Sequence, residues 1–213
     1  FTPATEKQIR KLIISSSSAT CLLDPIPTKI IKGECLDVLA PAIQDIVNSS
    51  LLSGTFPEVF KTAHVCPLLK KSSLDQNIEK NYRPFSNLAF VSKVIEKVVS
   101  SQLQNHLSDN SFHEAFQSAY KKGHSTETAL LRVQNDILRA VDSGQGACLV
   151  LLDLSAAFDT IDHEILLSSM NSQLGVKGTA LQWFRSYLNN RIQSVIVNNV
   201  VSSPSPLKFG VPQ

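Results

Sequence analysis

Apolar residues recur at helical spacing in four parts of the chain, over residues 9–13, 39–51, 91–98 and 129–137. Positions i, i+3 and i+4 lie on one face of an α-helix, so each stripe predicts a helix with one buried side. The first two stripes carry no chemistry of their own. They predict a helical N-terminal region over residues 1–60 that acts as scaffold.

Residues suited to helix ends stand beside two of these stripes. Gly54 follows the second stripe and can end its helix in a left-handed conformation. Ser125 precedes the fourth stripe and can cap its helix, although Thr128 does not supply the acid or amide of a capping box.

Two further segments have the pattern of strands. Residues 62–69 read as one strand, and residues 192–197 alternate before Asn198 and Asn199, which offer a hairpin turn into Val200. Together with the helical stripes, these segments predict an α+β fold.

The six residues 147–152 are uncharged and mostly apolar, without polar alternation. Such a run predicts a strand that is covered on both faces, with Cys148 as a reduced thiol in the core. Asp153 follows at the end of this run. A carboxylate leaving a buried strand can hold a divalent cation against a phosphate, or it can cap the following turn, and the pattern alone leaves both readings open.

The composition indicates a globular protein but does not identify its function. The chain of 213 residues is 43% hydrophobic and 18% charged, as is typical of a globular protein with a real core. The formal net charge of +2 neither requires nor excludes nucleic acid. No apolar run approaches a membrane span, and the four cysteines are too widely spaced for a zinc ribbon. We expect an intracellular protein, nuclear or cytoplasmic, that does not enter a membrane.

Five motifs occur in the order found in one family of enzymes. LDLSAAFDTIDH at 152–163 resembles the first catalytic motif of reverse transcriptases encoded by non-LTR (LINE-type) retrotransposons. The other segments that resemble motifs of this family are NYRPFSNL at 81–88 with SKVIEKVV at 92–99, QSAYKKGHSTETAL at 117–130, WFRSYL at 183–188 and GVPQ at 210–213.

The resemblance implies a right-hand polymerase fold, with fingers over residues 61–145 and part of the palm over residues 146–213. It implies RNA-directed DNA synthesis by the full-length parent, with an RNA template, a DNA primer and dNTPs as partners. Catalysis in such enzymes uses two Mg²⁺ ions about 3.5–4 Å apart, for which Mn²⁺ can substitute.

The resemblance also implies roles for individual residues. Asp153 would be a catalytic metal ligand, with the backbone carbonyl of Leu154 beside it. Phe158 would lie under the deoxyribose and exclude a 2′-hydroxyl, and Gln213 would touch the incoming nucleotide. Lys121 would contact the triphosphate where the family usually has Arg; lysine keeps the charge but loses the bidentate fork.

Three basic residues are candidates for contact with template phosphates: Arg83, Lys93 and Lys97. The alternative for the two lysines is a solvated helix face. Asp159 and Asp162, together with His163, are expected to cap and orient the next helix rather than to bind metal.

The sequence contains no Asp-Asp pair, which supplies the other catalytic carboxylates in this family. We therefore expect a fragment that does not polymerise DNA by itself. The alternatives are a catalytically dead remnant that binds RNA or an RNA–DNA hybrid, and an inert product of a degenerate repeat. A different metal-dependent phosphotransferase built on Asp153 has little support, because no second acidic residue stands two positions away. The sequence leaves the oligomeric state open.

Overall fold

The computed structural model describes residues 1–154, 156–198 and 200–212. The chain divides into two compact units, which we call the first unit (Phe1–His106 with Ala156–Gln213) and the second unit (Leu107–Ser155). Helices and a mixed sheet are both present, which confirms the α+β class. The division into fingers and palm stays a prediction.

Six of the described α-helices lie wholly or almost wholly in the first unit, and a seventh lies in the second unit. In chain order they are α1 (Glu6–Ser15), α2 (Thr28–Lys32), α3 (Leu36–Ser53), α4 (Phe90–Asp109), α5 (Thr126–Asp142, second unit), α6 (His163–Ser172) and α7 (Gly178–Leu188).

The helical stripes read from the sequence correspond to α1, α3, α4 and α5. Thr5 caps α1 in a reciprocal capping box with Gln8. Gly54 ends α3 in the left-handed conformation, with φ +66°, as its position predicted. The apolar faces of α1, α3 and α4 meet in one core, which contains Ile9, Val47, Val94, Ile95 and Trp183.

The described strands all belong to the first unit. They are β1 (Thr62–Leu69), β2 (Tyr82–Asn87), β3 (Ile192–Val197), β4 (Val200–Val201) and β5 (Ser205–Pro206). The sheet has the order β2-β1-β3-β4, with β5 paired to β3. The central strand β1 is antiparallel to β2 and parallel to β3.

The predicted strand over residues 62–69 and the hairpin after residue 192 are both confirmed. Ile196 pairs with Val201 and Val197 with Val200, which gives the antiparallel register of the hairpin. Asn198 takes a left-handed conformation with φ +50° in its turn, and Asn199 lies outside the described residues.

Trp183 is the centre of an aromatic cluster in the first unit. It is only 1% exposed, stacks on Tyr187 at 5.2 Å between ring centroids, and meets Phe56 edge to face at 5.6 Å. Its Nε1 donates to Ser50 Oγ at 2.9 Å. The bulky face of the WFRSYL motif is therefore mainly core, as expected.

In the second unit, α5 begins with a capping box that the residue types did not predict. Ser125 Oγ accepts from the Thr128 backbone N–H, and Thr128 Oγ1 accepts from the Ser125 backbone N–H. The threonine hydroxyl thus replaces the usual acid or amide. No described residue of α5 is buried, and Leu130, Leu131 and Leu138 are exposed.

The prediction of a buried strand over residues 147–152 is wrong for this structure. These residues form neither helix nor strand, Leu151 is 83% exposed and Leu152 is 91% exposed. Cys148 is also exposed, so it is not a core thiol. A strand needs ladder hydrogen bonds from a neighbouring strand. The described part of the second unit contains no other strand to supply them.

Candidate nucleic-acid and nucleotide site

Two of the three predicted template contacts line one cleft of the first unit. This cleft, of about 230 Å³, is called the basic cleft below. Its lining residues are Ser16, Ser17, Ala19, Asp24, Phe85, Asn87, Phe90, Lys93 and Lys97. Side chains alternate along a strand, so Arg83 shares the β2 face of Phe85 and Asn87. Arg83 is exposed there, two residues from Phe85.

Hydrogen bonds from the loop after α1 fix the walls of the basic cleft. Asp24 Oδ1 accepts from the backbone N–H of Phe90 at 2.6 Å, which ties the loop to the start of α4. Lys97 Nζ donates to Ser16 Oγ at 2.8 Å and remains largely exposed, whereas Lys93 is half-buried. Both lysines therefore line the cleft, and the Lys97 ammonium is also held by the C-terminal end of α1.

A polar cluster connects α4 and α7. Glu96 Oε1 accepts from the Tyr187 hydroxyl at 3.0 Å and from Ser92 Oγ at 3.2 Å. Burial raises the pKa of the Glu96 carboxyl, while the Tyr187 hydroxyl and the positive charge of Arg191 act in the opposite direction. Burial and the nearby Glu96 charge raise the pKa of Tyr187.

The Arg191 guanidinium is the cation of this cluster. It is 1% exposed, donates from Nη1 to the Tyr187 carbonyl at 3.1 Å, and lies over the Tyr187 ring at 4.6 Å. Its Nε and Nη2 make no hydrogen bond among the described residues, and burial lowers the pKa of the group. A buried cation without full hydrogen bonding depends on its aromatic and anionic neighbours.

The segment that carries Phe158 is joined to the segment before Gln213 by three hydrogen bonds. The Val211 N–H donates to the Phe158 carbonyl at 3.0 Å, and the Gly210 N–H donates to the Ile161 carbonyl at 2.8 Å. His163 Nε2 lies 2.7 Å from the Gly210 carbonyl oxygen. The residue Phe158 is 41% exposed.

Gly210 allows this approach because it has no side chain. It has φ +79°, and a Cβ there would lie 2.7 Å from the Phe158 carbonyl oxygen and 2.8 Å from Asp159 Cα. Asp162 caps α6 by accepting from the N–H groups of Glu164 and Ile165, as predicted. The predicted nucleotide contact Gln213 lies outside the described residues.

The remaining predicted residues lie in the second unit. Asp153 and Leu154 belong to the exposed segment, with Leu154 80% exposed. Lys121 is half-buried, and its carbonyl accepts from the His124 N–H at 3.2 Å. Within the described residues, no group of three His, Cys, Asp or Glu side chains could hold a metal ion.

Comparison with known proteins identifies the family. The model of the family described as reverse transcriptase (RNA-dependent DNA polymerase) matches residues 68–213. The chain belongs to the reverse transcriptase family. The resemblance to enzymes of non-LTR retrotransposons is thereby confirmed, and the α+β architecture agrees with it.

Relatives of this reverse transcriptase chain come from mobile elements of Drosophila melanogaster. The RNA-directed DNA polymerase from mobile element jockey is 28% identical over 205 residues, which cover 96% of this chain and 22% of the relative. A probable RNA-directed DNA polymerase from transposon BS is 29% identical over 168 residues, covering 79% of this chain and 18% of the relative. The chain thus spans about a fifth of the length of these relatives.

Sequence reasoning on this reverse transcriptase chain missed several residues. Glu96 and Tyr187 are 91 positions apart, and His163 and Gly210 are 47 apart, so no local pattern connects either pair. The sequence predicts that His163 helps to cap and orient α6, whereas the structure places its Nε2 at the Gly210 carbonyl, in the segment of residues 210–212 that is called the 210–212 turn below. The available signal was the glycine itself, since a glycine can mark a close backbone approach.

In the described part of the chain, no helix has the length and apolarity to cross a membrane.

Proposed function

We propose that this chain binds an RNA template paired with its DNA primer in the basic cleft, and that it contributes to RNA-directed DNA synthesis. The observation that carries the proposal is the combination of Lys93 and Lys97 with Phe85 around one cleft, with Arg83 on the same strand face as Phe85. Ammonium and guanidinium groups release counterions from a phosphate backbone, and an exposed aromatic ring can stack on a base.

Three residues are proposed to contact the incoming nucleotide. Phe158 excludes a 2′-hydroxyl by the bulk of its ring, Gln213 touches the nucleotide, and Lys121 contacts the triphosphate. The exposed Phe158 ring and the turn beside it support the first assignment. A lysine is a point charge without a planar fork, so its contact with the triphosphate has less geometric specificity than that of arginine.

Mg²⁺ is the proposed cofactor, with Mn²⁺ as a substitute. The Asp153 carboxylate and the Leu154 carbonyl are the hard oxygen donors that Mg²⁺ prefers, and both residues are exposed. Bound Mg²⁺ would neutralise charge on the triphosphate. The described residues supply only part of a ligand set, so Asp153 is proposed as one ligand among several.

The binding proposal is tested with a fluorescent RNA–DNA hybrid titrated by anisotropy over a series of salt concentrations. Replacing Lys93 and Lys97 together by alanine should reduce the slope of log K against log salt by about 2, since each phosphate contact contributes about 0.9. The matched control replaces Lys7 and Lys177, two exposed lysines of the first unit that do not line the cleft. Equal loss in both double variants would contradict a specific cleft.

Catalysis is tested by primer extension on an RNA template with Mg²⁺ or Mn²⁺. The 213-residue chain should not extend a primer, whereas a longer product of the same reading frame should do so. Asp153→Asn should abolish extension, and Asp136→Asn, on the exposed face of α5, should not. Hybrid binding without extension by the longer product would instead support the alternative, a catalytically dead remnant that binds RNA or hybrid.

A further inference from the structure

The contact between His163 and Gly210 joins the two segments that carry predicted nucleotide contacts. We propose that His163 is a positioning residue that holds the 210–212 turn against the backbone of Phe158, and that it thereby sets the selectivity for deoxyribose over ribose. This inference rests on the proposed function, because it assumes that Phe158 lies beside the sugar.

The chemistry of the contact determines the state of the imidazole. The Gly210 carbonyl oxygen can only accept a hydrogen bond, so Nε2 of His163, 2.7 Å away, must carry the proton. The neutral Nε2–H tautomer and the imidazolium both satisfy this requirement. The neutral Nδ1–H tautomer does not, which gives the contact a spectroscopic signature.

His163 is held on a rigid support. It is the first residue of α6, directly after the cap Asp162, and Leu167 and Met170 of the same helix are buried. α6 also packs against α7 of the core. The position of the imidazole is therefore set by α6, and the imidazole can hold the 210–212 turn in place.

The turn itself makes two further contacts with the Phe158 segment. The Val211 and Gly210 N–H groups donate to the carbonyls of Phe158 and Ile161. Gly210 has no Cβ to keep these backbones apart. These hydrogen bonds connect the backbone at Phe158 and Ile161 to the backbone at Gly210 and Val211, two residues before Gln213 in the sequence.

The consequence concerns discrimination at the sugar. A ring excludes a 2′-hydroxyl only if the nucleotide is held at a fixed distance from it. Displacements of about 1 Å at such sites can change rates by about a hundredfold. Loss of the His163 contact should therefore weaken the preference for a deoxynucleotide more than it weakens nucleotide binding.

The contact is tested first without any nucleotide. Nitrogen-15 spectra of the chain should show His163 with the proton on Nε2. His163→Ala should speed hydrogen exchange at the Gly210 and Val211 amides by about three- to tenfold, as expected for loss of one hydrogen bond. His163→Gln, whose amide nitrogen reaches about as far as Nε2, should restore protection, whereas the shorter His163→Asn should not. Unchanged exchange in His163→Ala would overturn the proposal.

The functional part is tested by ligand-observed NMR with dATP and ATP in the presence of Mg²⁺. The wild-type chain should prefer dATP, His163→Ala should lose several-fold of this preference, and His163→Gln should recover it. An unchanged dATP:ATP ratio in an alanine variant that has lost amide protection would refute the positioning role. If the wild-type chain binds neither nucleotide, the proposed nucleotide contacts fail, and the exchange comparison still decides whether His163 holds the turn.

Discussion

Replacing Gly210 by alanine should destabilise the first unit, for two separable reasons. The residue has φ +79°, a conformation that L-amino acids rarely adopt. A Cβ would also lie 2.7 Å from the Phe158 carbonyl oxygen, and 2.8 Å and 2.9 Å from Asp159 Cα and its carbonyl carbon. All three atoms belong to the backbone, so no side chain can rotate away to relieve the overlap.

The magnitude follows from these two terms. A left-handed backbone at a non-glycine residue costs about 1–2 kcal/mol, and overpacking that forces backbone shifts costs about 1–3 kcal/mol. Gly210→Ala should therefore lower the free energy of unfolding by about 2–5 kcal/mol. Gly175→Ala is the matched control, because Gly175 has φ +65° and a Cβ at this position would meet no described atom within 4 Å. It should lose only the conformational part, about 1–2 kcal/mol.

The measurement is urea unfolding followed by tryptophan fluorescence. Trp183 is the chain's single tryptophan and is buried in the first unit, so its emission reports unfolding of the unit that contains both glycines. The difference in unfolding free energy between the two variants measures the cost of the steric overlap between a side chain at position 210 and the Phe158 segment. Equal losses in both variants would refute the close approach and leave only backbone conformation.

Three other predictions test separate parts of the structure. Trp183→Ala should lower the free energy of unfolding by about 3–5 kcal/mol, measured by circular dichroism in urea, and a loss below about 1 kcal/mol would contradict a packed core around this ring. Because the pKa of Glu96 is raised in the folded chain, the native state holds this proton more tightly, so stability should fall as pH rises from the ordinary carboxyl pKa through the raised value. Glu96→Gln should remove that part of the pH dependence in urea titrations, and an unchanged pH profile would count against it. Leu152→Ser should change stability by no more than about 0.5 kcal/mol, since this side chain is 91% exposed; a loss above about 2 kcal/mol would mean that it is buried.

Elements with a strong local signal were predicted from the sequence. The helices α3 and α4 and the strand β1 follow from the periodicity of apolar residues over short segments. Gly54 ends α3 because glycine adopts the left-handed conformation without steric cost. The run over residues 147–152 gave an equally strong apolar signal, yet it forms no strand. Apolarity shows that a segment can be buried, but strand formation depends on hydrogen bonds from a partner elsewhere in the chain.

The candidate site also contains both residues that the sequence predicted and residues that it did not. Family motifs led to Arg83, Lys93 and Lys97, and two of these line one cleft in the structure. Glu96 and His163 act through partners far away in sequence, on α7 and on the 210–212 turn. Such pairs leave no periodic pattern in the sequence, and only the hydrogen bonds of the folded chain reveal them.

The parts of the proposed site differ in how firmly they are held. The basic cleft and the contacts of the Phe158 segment depend on buried helices and backbone hydrogen bonds. Asp153 instead follows an exposed apolar run without ladder hydrogen bonds. A metal ligand in a catalytic site must be held within about 0.5 Å of its working position, and an exposed segment outside helix and sheet does not provide that precision. Hybrid binding should therefore be a property of the first unit in this conformation, whereas the proposed role of Asp153 as a metal ligand would require residues 147–152 to become covered and paired. Asp153→Asn should consequently leave hybrid affinity unchanged, even where it abolishes primer extension.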